Sequence, residues 1–171
     1  SLAALVIIAL ASPLWRPADR IAGSGPLLIV IDNGWASASD WPRRTALATS
    51  LITQAERDDR RVAIVGSAPV PTPDAPLFEG STEAESRLGA LQPQPLETDR
   101  EQLVDRLQSL SETPNQIIWI SDGLDDGHAE SFDAYLGTLD RDVELIAPPR
   151  NEHPPALPPP PTGTGRVTAP A

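Results

Sequence analysis

Four short apolar runs, separated by segments with helical spacing, constrain the fold of this 171-residue chain more than any other feature. The runs are LLIVI at 27–31, VAIV at 62–65, IIWI at 117–120 and VELI at 143–146. Each is too short for a helix, and unbroken apolarity rich in β-branched residues is typical of strands covered on both faces. We therefore expect four strands, the first two of them buried.

The segments between these runs carry helix-start signals followed by apolar stripes. The start signals are Asp40 followed by Pro42, and two pairs with the spacing of a capping box, Thr82 with Glu85 and Thr98 with Glu101. The stripes that follow are Leu47, Leu51 and Ala55; Leu88 and Leu91; Leu103, Leu107 and Leu110; and Phe132, Leu136 and Leu139. The order is thus strand, helix, strand, one or two helices, strand, helix, strand.

Such alternation predicts an α/β fold, with a doubly wound, mainly parallel sheet and helices on both faces. We expect the run at 27–31 to be the central strand, flanked by those at 62–65 and 117–120. An irregular stretch, PVPTPDAP at 69–76, is expected to be a surface loop.

Two carboxylates follow strand ends, where ligands bind on such sheets. Asp32 comes directly after LLIVI, and Asp122 follows IIWIS. If these strands are neighbours, both side chains face one crevice. They could hold a divalent cation together with the Thr98 hydroxyl, or they could simply cap the turns that follow. We favour the second interpretation.

Composition and motif spacing exclude several other functions. The chain has 24 acidic residues against 13 arginines, a formal charge of -11, and neither Lys nor Cys. The negative charge disfavours nucleic-acid binding. The absence of Cys excludes thiol chemistry, and the absence of Lys excludes the phosphate-binding glycine-lysine loop. Gly34 stands where a dehalogenase-type phosphatase needs its second carboxylate, and no serine has nucleophile-elbow spacing. His128 and His153 are better explained as solvated than as catalytic, so we do not predict an enzyme.

Two tryptophans flank the loop after the first run. Trp35 and Trp41 either pack beneath that loop or are exposed anchors for a partner, since Trp dominates interface energetics. The sequence leaves both interpretations open.

The ends of the chain differ from its middle. Residues 1–15 are uncharged and apolar, and Trp15 beside Arg16 suits a membrane interface, so we expect 1–17 to be the end of a transmembrane helix. A signal-peptide core and a buried helix are the alternatives. Residues 18–26 are expected to be a linker. The proline-rich 148–171 is expected to be an extended linker that could begin a further domain.

The motifs LLIVIDNGWAS, RVAIVGS and IIWISDG, in this order, resemble a von Willebrand factor A domain. The family's metal-ion-dependent adhesion site combines D-x-S-x-S, a loop threonine and a later T/S-D-G. The resemblance places Asp32, Thr98 and Asp122 in those roles. Gly34 and Ala36 occupy the two serine positions, and Ser37 lies nearby at a different spacing, so a degenerate site without metal is implied.

The flanks resemble bacterial inner-membrane proteins of the aerotolerance-regulator type. That resemblance implies a periplasmic domain anchored by residues 1–17, with MoxR-type AAA+ ATPases as neighbours. We expect a membrane-tethered, non-enzymatic protein-interaction module that binds through Asp32, Gly34, Trp35, Ser37, Trp41, Thr98 and Asp122. The alternative is a ligand-binding domain that requires magnesium or calcium at Asp32, Thr98 and Asp122; a hydrolase is third.

Overall fold

The computed structural model describes residues 23–71, 75–124, 129–139 and 141–147. A short 3-10 helix, Trp35–Asp40, leads into the first α-helix. The strands are β1 (Leu27–Ile31), β2 (Val62–Gly66), β3 (Gln116–Ile120) and β4 (Asp142–Ile146). The α-helices are α1 (Trp41–Arg57), α2 (Ser81–Ala90), α3 (Arg100–Gln108) and α4 (Ala129–Thr138).

The four strands form one parallel sheet in the order β2-β1-β3-β4. In the register, Leu27 lies between Val62 on one side and Gln116 on the other. The predicted α/β fold with a parallel sheet is confirmed, and so is the interior position of β1 between β2 and β3. The order of the strands reverses between β1 and β3, because the chain first moves outward to β2 and then returns to the other side of β1.

Helices cover both faces of the sheet. The side chains of Leu27, Ile29 and Ile31 point to a core formed with α1 and α2, whereas Leu28 and Val30 point to a core formed with α3 and α4. All five residues of β1 are completely buried. Covering on both faces is the physical reason for the unbroken apolar runs, since a strand with one solvated face would alternate.

The two edge strands differ in their exposure. β2 is fully buried, and an antiparallel bridge between Val62 and Glu79 continues the sheet beyond it. On β4, Val143 and Leu145 are exposed, and Ile146 is the residue that joins the core.

The connection from β2 to β3 brings a loop over the carboxyl edge of the sheet. Because Glu79 pairs with the start of β2, α2 begins near the amino ends of the strands and runs toward their carboxyl ends. Residues 91–99 then cross from the face that carries α2 to the face that carries α3. Backbone hydrogen bonds fix this segment at both ends: Gln94 N donates to Asn33 O at 2.7 Å, and Asp99 N donates to Ser67 O at 3.0 Å.

The structure confirms the predicted start of α1 and corrects the predicted starts of α2 and α3. Asp40 does precede α1, but its carboxylate accepts from Arg44 Nε at 2.6 Å and makes no capping bond. The N-cap of α2 is Gly80, which directly follows the bridging residue Glu79. The N-cap of α3 is Asp99, whose side chain accepts from Gln102 N at 2.9 Å. Thr82 and Thr98 are therefore not the caps of these helices.

Several predictions fall outside the described residues. The apolar segment 1–17, the proline-rich tail from 148 onward, His128 and His153 are among them. Of the irregular 69–76 stretch, the described residues 69–71 and 75–76 have no regular structure, and of the linker 18–26 the same holds for residues 23–26. Within the described ranges, no helix has both the length and the apolarity to cross a membrane.

Candidate functional site

The two carboxylates that follow β1 and β3 lie together at the carboxyl edge of the sheet, as predicted. Asp32 N donates a hydrogen bond to Ile120 O at 3.0 Å, which extends the pairing of these strands. Asp122 N then donates to Asp32 Oδ2 at 3.0 Å. Both residues lie where the strand order reverses, the usual position of a ligand site on such a sheet.

A buried arginine neutralises Asp32. The Arg100 Nη2 atom lies 3.8 Å from Asp32 Oδ2, and the side chains are 1% and 0% exposed. Arg100 Nη2 also donates to Leu124 O at 3.3 Å, and the guanidinium carbon lies 5.0 Å from the centre of the Trp119 ring. A guanidinium therefore supplies the positive charge beside Asp32.

A second buried arginine, on the α1 face, donates a hydrogen bond at the same carboxyl edge of the sheet. Arg44 Nη1 donates to Ile120 O at 3.3 Å while its Nε is paired with Asp40 Oδ1 at 2.6 Å. We call Asp32, Arg44 and Arg100 the buried network: the Asp32 amide and Arg44 both donate to the Ile120 carbonyl at the end of β3, and Arg100 lies beside Asp32.

The Asp122 side chain stabilises the turn that follows β3. Its Oδ1 accepts from Leu124 N at 2.9 Å, the bond of an Asx turn. Burial raises the pKa of Asp122; the Leu124 N–H opposes the rise, and the Asp32 carboxylate adds to it. The side chain is partly exposed, so it borders the surface that lies above the buried network.

Two further predicted site residues face inward. The Ser37 hydroxyl is completely buried and donates to Asp32 O at 2.6 Å. At Gly34, an added Cβ would lie 3.0 Å from Leu96 O and 3.3 Å from Thr98 Cγ2, so the crossing loop packs directly against this glycine. Gly34 and Ser37 shape the loop after β1 and present no ligand atom to the crevice.

The oxygen atoms of Asp32 and Asp122 form a poor ligand set for a divalent cation. A hydrated Mg²⁺ or Ca²⁺ needs several oxygen ligands, whereas Asp32 Oδ2 is bonded to a backbone amide beside a guanidinium. No group of three or more metal-ligating His, Cys, Asp or Glu side chains exists in the described part of the chain. Low metal affinity remains a prediction, and its physical reason is the positive charge already present.

Asn33 joins the three loops at this edge, and sequence reasoning missed it. Its Oδ1 accepts from Ala68 N at 2.8 Å, and its Nδ2 donates to Gln92 O at 3.1 Å. An added Cβ at Gly66 would lie 2.7 Å from Asn33 Oδ1, so the end of β2 must approach closely. Asn33 ties the loop after β1 to the loop after β2 and to the crossing loop.

Three large apolar residues are exposed in the loops at this edge of the sheet. Trp35 is 58% exposed, Leu96 49% and Leu124 47%, and each comes from a different loop. Trp35 N donates to Leu96 O at 2.9 Å, and Leu124 O accepts from Arg100, so backbone bonds hold all three loops at this edge of the sheet. We call Trp35, Leu96 and Leu124 the apolar rim.

The two tryptophans therefore have different roles. Trp41 is partly buried and packs against the core on the α1 side, where it lines an open groove of about 280 Å³ between α1 and α2. Trp35 is exposed, as one interpretation of the sequence expects, and Trp41 is packed against the core, as the other expects.

Arg100 had a sequence signal that could have revealed it. A positive charge in the first turn of a helix opposes the helix dipole, so arginine at the first position of α3 suggests a nearby carboxylate. Arg44 follows Asp40 by one helical turn and could have been predicted as its partner. Asn33 carried no comparable signal.

Comparison with known proteins adds no family assignment. No family model matches the chain, and no curated protein matches it significantly.

Proposed function

We propose that this chain is a non-enzymatic protein-interaction module and that the apolar rim is its binding surface. One observation carries the proposal. Three large apolar residues are exposed in three separate loops at the edge of the sheet that holds the buried Asp32–Arg100 pair. Scattered apolar residues are normal on a protein surface, but three of them in the loops at the edge where parallel sheets usually bind ligands favour an interaction site.

The buried network supports binding rather than chemistry. Asp32 and Arg100 are inaccessible to a substrate and are bonded to backbone groups at the strand ends. A general base or nucleophile must reach the reacting atom, and these groups cannot without a rearrangement. The network is better explained as the support that holds the loops of the rim in place.

At the finer level, we infer a doubly wound domain of von Willebrand factor A type with a degenerate metal site. The support is the adjacency of Asp32 and Asp122 at the reversal in strand order, together with the motifs that carry the resemblance. The same resemblance supports a tether to a bacterial inner membrane through residues 1–17. It also makes a MoxR-type AAA+ ATPase system a candidate partner.

Site-specific photo-cross-linking tests the proposed surface. A photoreactive p-benzoylphenylalanine is placed at Leu96 in the full chain, which is expressed in its own cells and irradiated. The matched control places it at Leu77, which is 46% exposed but precedes Glu79 at the opposite edge of the sheet.

We expect a discrete cross-linked protein from position 96 and none from position 77. Equal cross-linking from both positions would mean that the contacts are nonspecific, and no cross-link from position 96 would contradict the proposal.

A further inference from the structure

We propose that the partner binds the apolar rim through a segment in which aliphatic side chains alternate with arginine or lysine. The inference rests on the proposed function and specifies the chemistry of the partner. It follows from the charges that surround the rim and from the exposed face of Trp35.

Carboxylates predominate on the strand-end face, by which we mean residues 32–44, 67–71, 91–101 and 121–124. Its acidic residues are Asp32, Asp40, Glu97, Asp99, Glu101 and Asp122, and its basic residues are Arg43, Arg44 and Arg100. Arg44 and Arg100 are buried beside Asp40 and Asp32, and the other charged residues of this face are four carboxylates and Arg43. Arg43 is thus the one exposed arginine among the described residues of this face.

The acidic residues lie beside the rim itself. Glu97 is exposed and follows Leu96 directly, while the partly exposed Asp122 precedes Leu124 by two residues. Apolar contacts flanked by carboxylates select a ligand that combines apolar and cationic groups, because like charges would be repelled and an apolar ligand would leave the carboxylates unpaired.

Besides the carboxylates, the indole ring of Trp35 can bind a cation. Its ring is more than half exposed at a loop in which its backbone is fixed by Leu96 O. An arginine or lysine can stack on such an indole face while its charge approaches the neighbouring carboxylates. Over longer distances, the formal charge of -11 attracts a basic segment before contact.

Titration with synthetic peptides tests the chemistry of the ligand. Two unstructured peptides of equal length are compared, one repeating leucine-arginine-serine and the other leucine-glutamate-serine. Fluorescently labelled peptide is titrated with the full chain, and anisotropy is measured at low and high salt. We expect the arginine peptide to bind with a salt-dependent affinity and the glutamate peptide not to bind.

Variants separate the rim from general attraction to an acidic protein. Trp35→Ser should weaken binding of the arginine peptide by at least about tenfold. The pair Glu97→Gln with Asp122→Asn should weaken it by about threefold or more. The control pair, Asp58→Asn with Asp59→Asn, changes the net charge equally at the far end of α1 and should have less than about twofold effect.

The inference is overturned if the arginine peptide does not bind, if the glutamate peptide binds equally well, or if both charge pairs weaken binding to the same extent. Failure of the inference can be told from failure of the proposed function. If cross-linking from Leu96 persists while the peptide result is negative, the face binds protein of another chemistry; if cross-linking also fails, both are wrong.

Discussion

At the scale of single residues, the Asp32–Arg100 pair should dominate the electrostatic contribution to stability. A buried charge whose partner is removed is left uncompensated, and such losses are about 3–5 kcal/mol. We therefore expect Arg100→Met to lower the free energy of unfolding by an amount in that range, measured by urea denaturation.

The double variant Asp32→Asn with Arg100→Met provides the control. Because it removes both charges, it should be more stable than Arg100→Met alone. If the double variant loses the sum of the two single losses, the residues are not coupled and the pair does not hold the strand ends.

Asp122 should make stability depend on pH in the opposite direction from a salt-bridged carboxylate. Burial raises its pKa in the folded state, so the folded protein binds this proton more tightly than the unfolded chain. Its contribution to stability therefore falls as pH rises from the ordinary carboxyl range, about 4, through the raised value.

We expect Asp122→Asn to increase the free energy of unfolding slightly at neutral pH, and the gain to vanish below the ordinary carboxyl range. The asparagine Oδ1 can still accept from Leu124 N, so the turn is kept. Thermal melts at neutral and acidic pH measure the difference. A variant that is less stable at neutral pH would show that the charge itself supports the fold.

At the scale of elements, the starts of α2 and α3 allow an observed cap to be compared with a predicted one. Asp99 caps the helix through Gln102 N, whereas Thr82 lies inside α2 behind its cap, Gly80. Asp99→Ala should lower the free energy of unfolding by about 1 kcal/mol, and Thr82→Ala should change it by less than about 0.5 kcal/mol. Equal losses in urea denaturation would contradict the observed caps.

The elements themselves were predictable from the sequence, but their contacts were only partly so. Burial on both faces requires continuous apolarity, so LLIVI and VAIV identified β1 and β2. The helix starts were less predictable because capping-box spacing occurs by chance. The bridge from Glu79 to Val62 and the bond from Asp99 to Ser67 decide where α2 and α3 begin.

The candidate site was likewise predictable in part from the sequence. Asp32 and Asp122 could be predicted because they follow strand ends that parallel pairing brings together. The neutralising role of Arg100 was missed, since it depends on a loop that crosses the sheet edge between distant parts of the chain. The exposure of Trp35 and the burial of Trp41 depend on tertiary packing that local spacing does not encode.

At the scale of the whole molecule, we expect the folded core to form without the apolar amino-terminal segment. Within the described ranges, the side chains of β1 pack against α1 and α2 on one face and against α3 and α4 on the other. We expect a chain beginning at Ala18 to be soluble and to unfold with the free energy of the full chain, while the native protein fractionates with membranes. Sedimentation and urea denaturation measure the two properties.

The contrary result is informative. If removal of residues 1–17 unfolds the domain, that segment is a core helix and the proposed membrane tether is wrong.

The most direct test of the binding surface measures cross-linking from position 96 with and without Trp35. Trp35 is largely exposed, so Trp35→Ser should change the free energy of unfolding by less than about 0.5 kcal/mol. In that stable variant, the cross-linked partner from p-benzoylphenylalanine at Leu96 should be lost. An unchanged yield of the same cross-linked protein would show that the partner does not use the apolar rim.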